Sequence, residues 1–594
     1  MQEANKQPLG FGKTMLASSL GVVIAFVVIN ILGFFLMTSI LLNSLTSSKK
    51  PVAVENDTFL KLDLTLPTPE RAPSEVQSLF SIDKIIGLTD ILQSIDAAKS
   101  DDRINGIYVV MNAMTSQSWG QCEELRIALQ DFKKSSGKPV IAYSDTYTQN
   151  GYYIASVADR IFMHPAGNLD WRGIMAQPMF YKDLLAKFDI HMNLIRPKSN
   201  AYKSAGETYT MDHMSEANKE QVRAYITSTW NHVVNQISVT RNITPTRLNE
   251  IADGLLCYKP ENAVAEGMID TLGFEFDAKK LMKDKYEMDK LLDIADYKTN
   301  VIQKNKNNHI AIIYAEGDVV PGESTGVDTK VYGDDVAKAF DDATEDESVK
   351  AIVLRVNSPG GAVTASEIMT AAVMRAKEKK PVIVSMSDLA ASAGYEISCN
   401  ATKIVAHPTT LTGSIGVFGT IPEIGTALKK HLGISTDTVM TNANSGGIDV
   451  MRPMSPKSYA ALQQSIEDFY ITFITRVAKG RGMKVEDVDK IARGRVWTGA
   501  DAIKIGLVDT LGNFATAINI AAKEAQIDEY SLVYYPEEKN LMTQLLDLTS
   551  STKIRSKLFS KHEYNPIENM TKELESWANM EPLQARLPFI LNME

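Results

Sequence analysis

GYYIASVADRIFMHP (Gly151–Pro165) and GYEISCNATKIVAHP (Gly394–Pro408) agree at seven of fifteen positions, at an offset of 243. The agreement extends outward in both directions. Upstream stand KPVIAYS (Lys138–Ser144) and KPVIVSM (Lys380–Met386); downstream stand GMIDTLG (Gly267–Gly273) and GLVDTLG (Gly506–Gly512). The chain therefore carries one unit of roughly 200 residues twice, and a length of 594 residues suits two such cores plus extensions.

Each unit alternates between two hydrophobic periods. Phe59–Leu66 (FLKLDLTL) places Leu60, Leu62, Leu64 and Leu66 on one face, the period of a strand, and His309–Val320 is its counterpart. Ile104–Asn112 and Val349–Asn357 are near-continuous apolar runs, as expected of parallel strands covered on both faces. Helical patterns follow at Cys122–Lys134 and Ala365–Lys379, each leading into one of the KPVI strands. Strand–helix–strand order throughout implies an α/β fold with right-handed crossovers. The expected division is a first repeat at 57–273, a Lys- and Asp-rich connector at 274–307, a second repeat at 308–535 and a mostly helical tail at 536–594.

Ahead of the repeats, residues 1–13 form a short tail containing Lys6 and Lys13, and residues 14–48 contain no charged side chain. About twenty apolar residues cross a bilayer, so 14–48 reads as a retained transmembrane anchor. The run is too long for a signal-peptide core, and no A-x-A-like site follows it. Lys49 and Lys50 balance Lys6 and Lys13, so charge alone leaves the orientation open. A net charge of −10, with no basic aromatic-rich stripe, argues against a nucleic-acid binder. Cys122, Cys257 and Cys399 lack metal-ligand spacing and read as buried apolar fillers; no metal or cofactor is called for.

The two units are not equivalent where chemistry is concerned. TGSIG (Thr412–Gly416) presents Ser414 between glycines, where the first unit has Trp171. AYKSAGE (Ala201–Glu207) presents Lys203, where the second unit has NANSGGI (Asn442–Ile448) and no lysine. A serine in one unit and a lysine in the other suggest one active site split across the duplication. A neutral lysine serves as base to a serine when burial lowers its pKa below the usual ~10.4. His407 precedes Ser414 by seven residues, but His164 holds the same place beside no serine, so both read as structural strand-end residues. NSPGGAV (Asn357–Val363) follows a strand with Gly360 and Gly361, whose N–H groups suit an oxyanion hole. It lacks the G-x-x-x-x-G-K-[ST] pattern of a nucleotide loop. Ser392 in DLAASAGYE (Asp388–Glu396), at a strand-to-helix turn, is a rival nucleophile.

Taken together and in this order, the N-terminal anchor and the SPGG, AASAGY, TGSIGVFG, YKSA and VDTLG signatures resemble the long, duplicated form of the signal peptide peptidase A (protease IV) family. The resemblance covers nearly the whole chain and implies two Clp-protease/crotonase-like repeats. It implies that Ser414 is the nucleophile, Lys203 the general base and acid, and Gly360 and Gly361 the oxyanion hole. Ser392 stands where Clp-protease relatives keep their serine. Implied substrates are signal-peptide remnants and other short hydrophobic peptides. Implied surroundings are a homotetramer on the bacterial inner membrane, with the catalytic domain on the extracytoplasmic side. Two other readings share parts of this pattern. Acyl-CoA hydratase or isomerase chemistry requires a basic CoA site that the sequence around Glu367 lacks, and a dead scaffold requires Ser414 and Lys203 to lie apart.

Overall fold

The computed structural model describes residues 52–66, 68–72, 85–112, 117–298, 307–324, 329–536 and 584–586. The expected anchor at 14–48 and the tail at 1–13 lie outside the described residues. Among the described residues, no helix is long and apolar enough to cross a membrane.

The first repeat supplies strands β1 (Thr58–Asp63), β2 (Ile104–Val110), β3 (Val140–Ser144), β4 (Arg160–Met163), β5 (His191–Ile195), β6 (Thr271–Leu272) and β7 (Lys290–Asp293). Six of them form a parallel sheet in the order β6-β4-β3-β2-β1-β7. The second repeat supplies β8 (His309–Glu316), β9 (Val319–Val320), β10 (Val331–Tyr332), β11 (Val349–Ser358), β12 (Gly360–Ala362), β13 (Val382–Ala391), β14 (Lys403–Ala406), β15 (Leu411–Gly413), β16 (Gly419–Glu423), β17 (Val496–Thr498), β18 (Thr510–Leu511) and β19 (Ser531–Tyr535). Its main sheet runs β17-β15-β13-β11-β8-β19, with β14 and β18 branching from β13. All its pairs are parallel except β15 with β17. The apolar runs account for this: β11 and β13 are buried along most of their length, between helices on both faces.

The helices start and stop where local chemistry directs. Trp119–Ser136 is capped by the Ser118 hydroxyl, which accepts from the Gln121 N–H (3.3 Å), and ends at Gly137 with φ 71°. Each repeat also carries a 26-residue helix, Glu216–Arg241 and Pro456–Arg481, capped by Ser215 and Ser455.

One boundary differs from the sequence expectation. Residues assigned to a connector belong to the first sheet: β7 pairs with β1, and helix Glu275–Tyr286 packs on β3. The described part of the tail is a strand, β20 (Gln584–Arg586). It runs antiparallel to β12, and Arg586 pairs with Asp318 at 3.0 Å. The rest of the tail lies outside the described residues.

The repeats are locked together by a buried charge cluster. Arg355 on β11 donates to Glu70 (2.9 Å) and to Glu124 (2.9 Å), both carried by the first repeat. Glu124 also accepts from the Phe514 N–H and contacts His407 Nε2, each at 2.9 Å. Burial alone raises a carboxyl pKa, but here the neighbouring His407, the Arg355 charge and the Phe514 N–H outweigh it, holding Glu124 down to about 2. Removing one member strands the other charges in an apolar interior. Glu124→Ala is therefore expected to destabilise the chain by about 3–5 kcal/mol, read as a lower urea midpoint; an unchanged midpoint refutes the locking role.

Candidate active site

Ser414 follows β15 in a left-handed conformation, φ 49°, with its N–H donating to the Arg495 carbonyl at 2.7 Å. Ser392 ends β13 with φ 55° and ψ −113°, a sparsely populated conformation, and its N–H donates to the Gly413 carbonyl (2.9 Å). The two serine loops are thus braced on each other. Lys203 arrives from the first repeat on the turn after β5, where its carbonyl accepts from Arg196 Nη1 at 2.8 Å.

The three side chains meet. Lys203 Nζ lies 3.0 Å from Ser414 Oγ, 3.2 Å from the Ser414 carbonyl and 2.9 Å from Ser392 Oγ. All three residues have no solvent-exposed surface, and the Phe418 ring lies 5.9 Å from the amine. Among the described residues, no carboxylate pairs with Lys203, and burial pushes its pKa well below the usual lysine value. The meeting is within one chain, across 211 residues of sequence.

Residues that sequence reasoning passed over hold this geometry. Arg493, Gly494 and Arg495 form a backbone clasp: the Tyr202 N–H donates to the Arg493 carbonyl (3.1 Å), the Gly494 N–H to the Ile415 carbonyl (2.8 Å), and Ser414 to Arg495 as above. One side of the clasp holds the lysine turn, the other the serine loop. Gly494 has φ 79°, and a Cβ there would sit 2.4 Å from Lys203 Cβ. Gly494→Ala is expected to displace Lys203 and lower kcat by about 100-fold, the scale of a ~1 Å misplacement, with the urea midpoint far less affected. An unchanged kcat would show that the clasp does not position the lysine.

The glycine loop is more engaged than its sequence suggested. Gly360 and Gly361 form β12, between β9 and β20. The Gly360 N–H donates to Ser358 Oγ (3.2 Å), and a Cβ on Gly361 would meet the Val319 carbonyl oxygen at 2.1 Å. His407 and His164 occupy equal places with different partners: His407 is fully buried against Glu124, whereas His164 Nδ1 accepts from the Ala166 N–H at 3.0 Å. The three cysteines are free and buried.

In the first repeat the corresponding space is filled. Gln149, in the place of Ser392, donates to the Gly173 carbonyl (3.0 Å) and accepts from the Arg172 and Gly173 N–H groups (3.0 and 2.8 Å). Trp171, in the place of Ser414, packs on Trp230 with ring centroids 4.6 Å apart, and its indole N–H donates to the Leu248 carbonyl.

The pattern of peptidase family S49 matches residues 132–289 and 374–528, one segment in each repeat. Protease 4 of Salmonella typhi is 37% identical over 474 residues, covering 77% of this chain and 75% of that one. Protease 4 of Haemophilus influenzae is 30% identical over 595 residues, covering 94% and 95%. The chloroplastic serine protease SPPA of Arabidopsis thaliana is 30% identical over 478 residues, covering 78% and 70%. The chain belongs to peptidase family S49 and is a serine protease with two S49 domains of α/β fold.

Proposed function

We propose that the chain is a membrane-anchored Ser/Lys peptidase that degrades signal-peptide remnants and other short hydrophobic peptides. The observation that carries this reading is the set of acceptors around the lysine amine. A neutral amine has two N–H donors and one lone pair. The Ser414 carbonyl can only accept, so it takes one N–H. The Ser392 hydroxyl donates onward to the Gly416 carbonyl (3.3 Å), so it takes the other. The lone pair is left facing the Ser414 hydroxyl at 3.0 Å. Ser414 is thereby the nucleophile, Lys203 the base, and Ser392 the residue that orients the amine.

The steps follow. Ser414 Oγ attacks the scissile carbonyl carbon while its proton passes to Lys203 Nζ. The tetrahedral oxyanion is held by N–H groups of the Gly360–Gly361 strand, each donor worth about 3–4 kcal/mol. The Gly360 N–H exchanges Ser358 Oγ for the substrate as it does so. Lys203 then protonates the departing amine as the C–N bond breaks. Water, deprotonated by Lys203, hydrolyses the acyl ester and restores Ser414. Residues 14–48 hold the enzyme in the bacterial inner membrane with the repeats on the extracytoplasmic side, and copies assemble as a homotetramer. The scaffold alternative needed the two residues apart; they lie within hydrogen-bond reach.

A fluorophosphonate probe tests the assignment directly: peptide mapping is expected to find the adduct on Ser414, and an adduct on Ser392 instead overturns it. The pH profile is a second test. The base acts only unprotonated, so kcat/KM rises with pH to a plateau, and burial of Lys203 sets the midpoint well below 10.5. A midpoint at or above 10.5 contradicts a buried lysine base.

A further inference from the structure

An extended peptide binds to a sheet by adding a strand to its edge, where main-chain N–H and C=O groups hold it whatever its side chains. The strand that carries the proposed oxyanion donors is β12, Gly360–Ala362. One side of β12 is taken by β9, with Gly361 opposite Val319. A peptide can therefore join only on the other side. That side is occupied by β20 of the tail, which runs antiparallel with Gly360 opposite Arg586, Gly361 opposite Ala585 and Ala362 opposite Gln584.

The tail is also tied to the oxyanion loop through the turn between β8 and β9. Arg586 Nη2 donates to the Asp318 carboxylate at 3.0 Å. Next to Asp318, the Gly317 carbonyl accepts from Ser358 Oγ at 2.6 Å, and Ser358 Oγ in turn accepts from the Gly360 N–H at 3.2 Å. The turn itself is fixed on both flanks: the Gly317 N–H donates to the Asn357 carbonyl (2.9 Å), and the Asp318 carbonyl accepts from the Val331 N–H (2.9 Å). With β20 in place, one proposed oxyanion donor is thus engaged inside the protein instead of being offered to a substrate.

The same state is closed. Lys203, Ser392 and Ser414 have no solvent-exposed surface, so a peptide reaches them only after some element moves. β20 is held lightly enough to be that element. Its ladder spans three residues, and the Arg586 and Asp318 side chains are 23% and 34% exposed, so water screens most of the worth of their ion pair. β11, by contrast, is ten residues long and paired along both sides. Residues 536–583 connect β20 to β19, so a released strand stays tethered to the body that carries the edge and returns to it.

We propose that Gln584–Arg586 is an internal competitor for the substrate. Docked as β20, it fills the peptide-binding edge of β12 and leaves the Gly360 N–H on Ser358; an incoming peptide takes its place strand for strand. This deepens the proposed function and rests on β12 being the substrate's edge. Such competition is read in KM and not in kcat, because a saturating peptide displaces the tail from every molecule. It also sorts substrates by length. An extended peptide that pairs beyond the three residues of β20 displaces it, and a shorter one forms too few main-chain hydrogen bonds to do so.

The test uses full-length chains and steady-state hydrolysis of an uncharged hydrophobic peptide. Successive N–H groups of a strand point to opposite sides, so the double variant Ala585→Pro with Arg586→Pro removes one donor facing β12 whichever the pleat. With the docked form in the majority, its release is expected to raise kcat/KM by at least about 2-fold through KM alone. Arg586→Glu sets a like charge on Asp318 and is expected to give part of that rise, and adding Asp318→Arg to return KM to the wild-type value; this pair carries the test if the prolines unfold the chain. A synthetic peptide of residues 581–590 is expected to inhibit the proline variant competitively. An unchanged KM in the variants overturns the competitor, and so does a lower kcat with a lower urea midpoint, the mark of a merely structural strand. Loss of the residues after Ala585 from wild type on incubation, seen by mass spectrometry and blocked by a fluorophosphonate, makes the tail a substrate and overturns it too. Fluorophosphonate labelling needs no strand pairing. Enzyme that labels but whose KM ignores the tail refutes this inference alone, whereas a chain that neither labels nor cleaves refutes the peptidase reading beneath it.

Discussion

Ser414→Ala is expected to leave no more than about one thousandth of the wild-type kcat/KM for a hydrophobic peptide. On the proposed mechanism the loss is large because the acyl-enzyme route disappears, and only binding and the oxyanion donors remain to act on a water attack. Ser392→Ala makes the comparison informative. Its hydroxyl accepts one N–H of Lys203 and donates to Gly416. Without it the amine is free to turn, so a partial loss of roughly 10- to 100-fold is expected, of the order of one misoriented proton acceptor. Steady-state hydrolysis by both purified variants separates the cases. Complete loss in Ser392→Ala with activity kept in Ser414→Ala reverses the roles and makes the strained strand-end serine the nucleophile.

Lys203→Met is expected to cost as much as Ser414→Ala, and the double variant no more than either, because residues acting as one unit lose their function together. Methionine preserves an unbranched side chain in the buried slot and removes the titrating amine. Stability changes with a definite sign. The folded chain depresses the Lys203 pKa, so between that value and 10.5 the unfolded chain binds the extra proton. Wild-type stability therefore falls as pH drops through this window, and Lys203→Met lacks that fall. Urea midpoints of the two proteins are expected to diverge in favour of methionine as pH is lowered from 10.5. A gap that stays constant with pH shows that Lys203 is not held neutral.

Much of this architecture was legible in the chain because local signals carry it. The KPVI and VKAIVL runs are strands on any reading, and the repeated GY…HP block reveals the duplication without further help. The meeting of Lys203 and Ser414 was suggested by complementary loss, a comparison available only because the unit occurs twice. The clasp at Arg493–Arg495 was not legible: its contacts are backbone hydrogen bonds, which leave little trace in side-chain type. Nothing in the sequence marks Glu70 and Glu124 as buried acids; Arg355 and His407 reach them from the other repeat. His407 itself shows the limit of repeat logic, since equal positions carry different work once the partners differ. Strand β7, KLLD, is too short and too exposed to show a period.

The clasp bears on the time at which the site can be assembled. Lys203 leaves the ribosome early, Ser414 later, and Arg495 about 290 residues after the lysine. At ~5–20 residues per second, roughly 15–60 s of translation separate Lys203 from the last support that aligns it. During that interval the nascent chain holds a lysine with no serine, then a serine loop with no backbone to pin it. Until then the backbone hydrogen bonds that align Lys203 with the serine loop are not available. Products truncated before Arg493 lack these hydrogen bonds altogether.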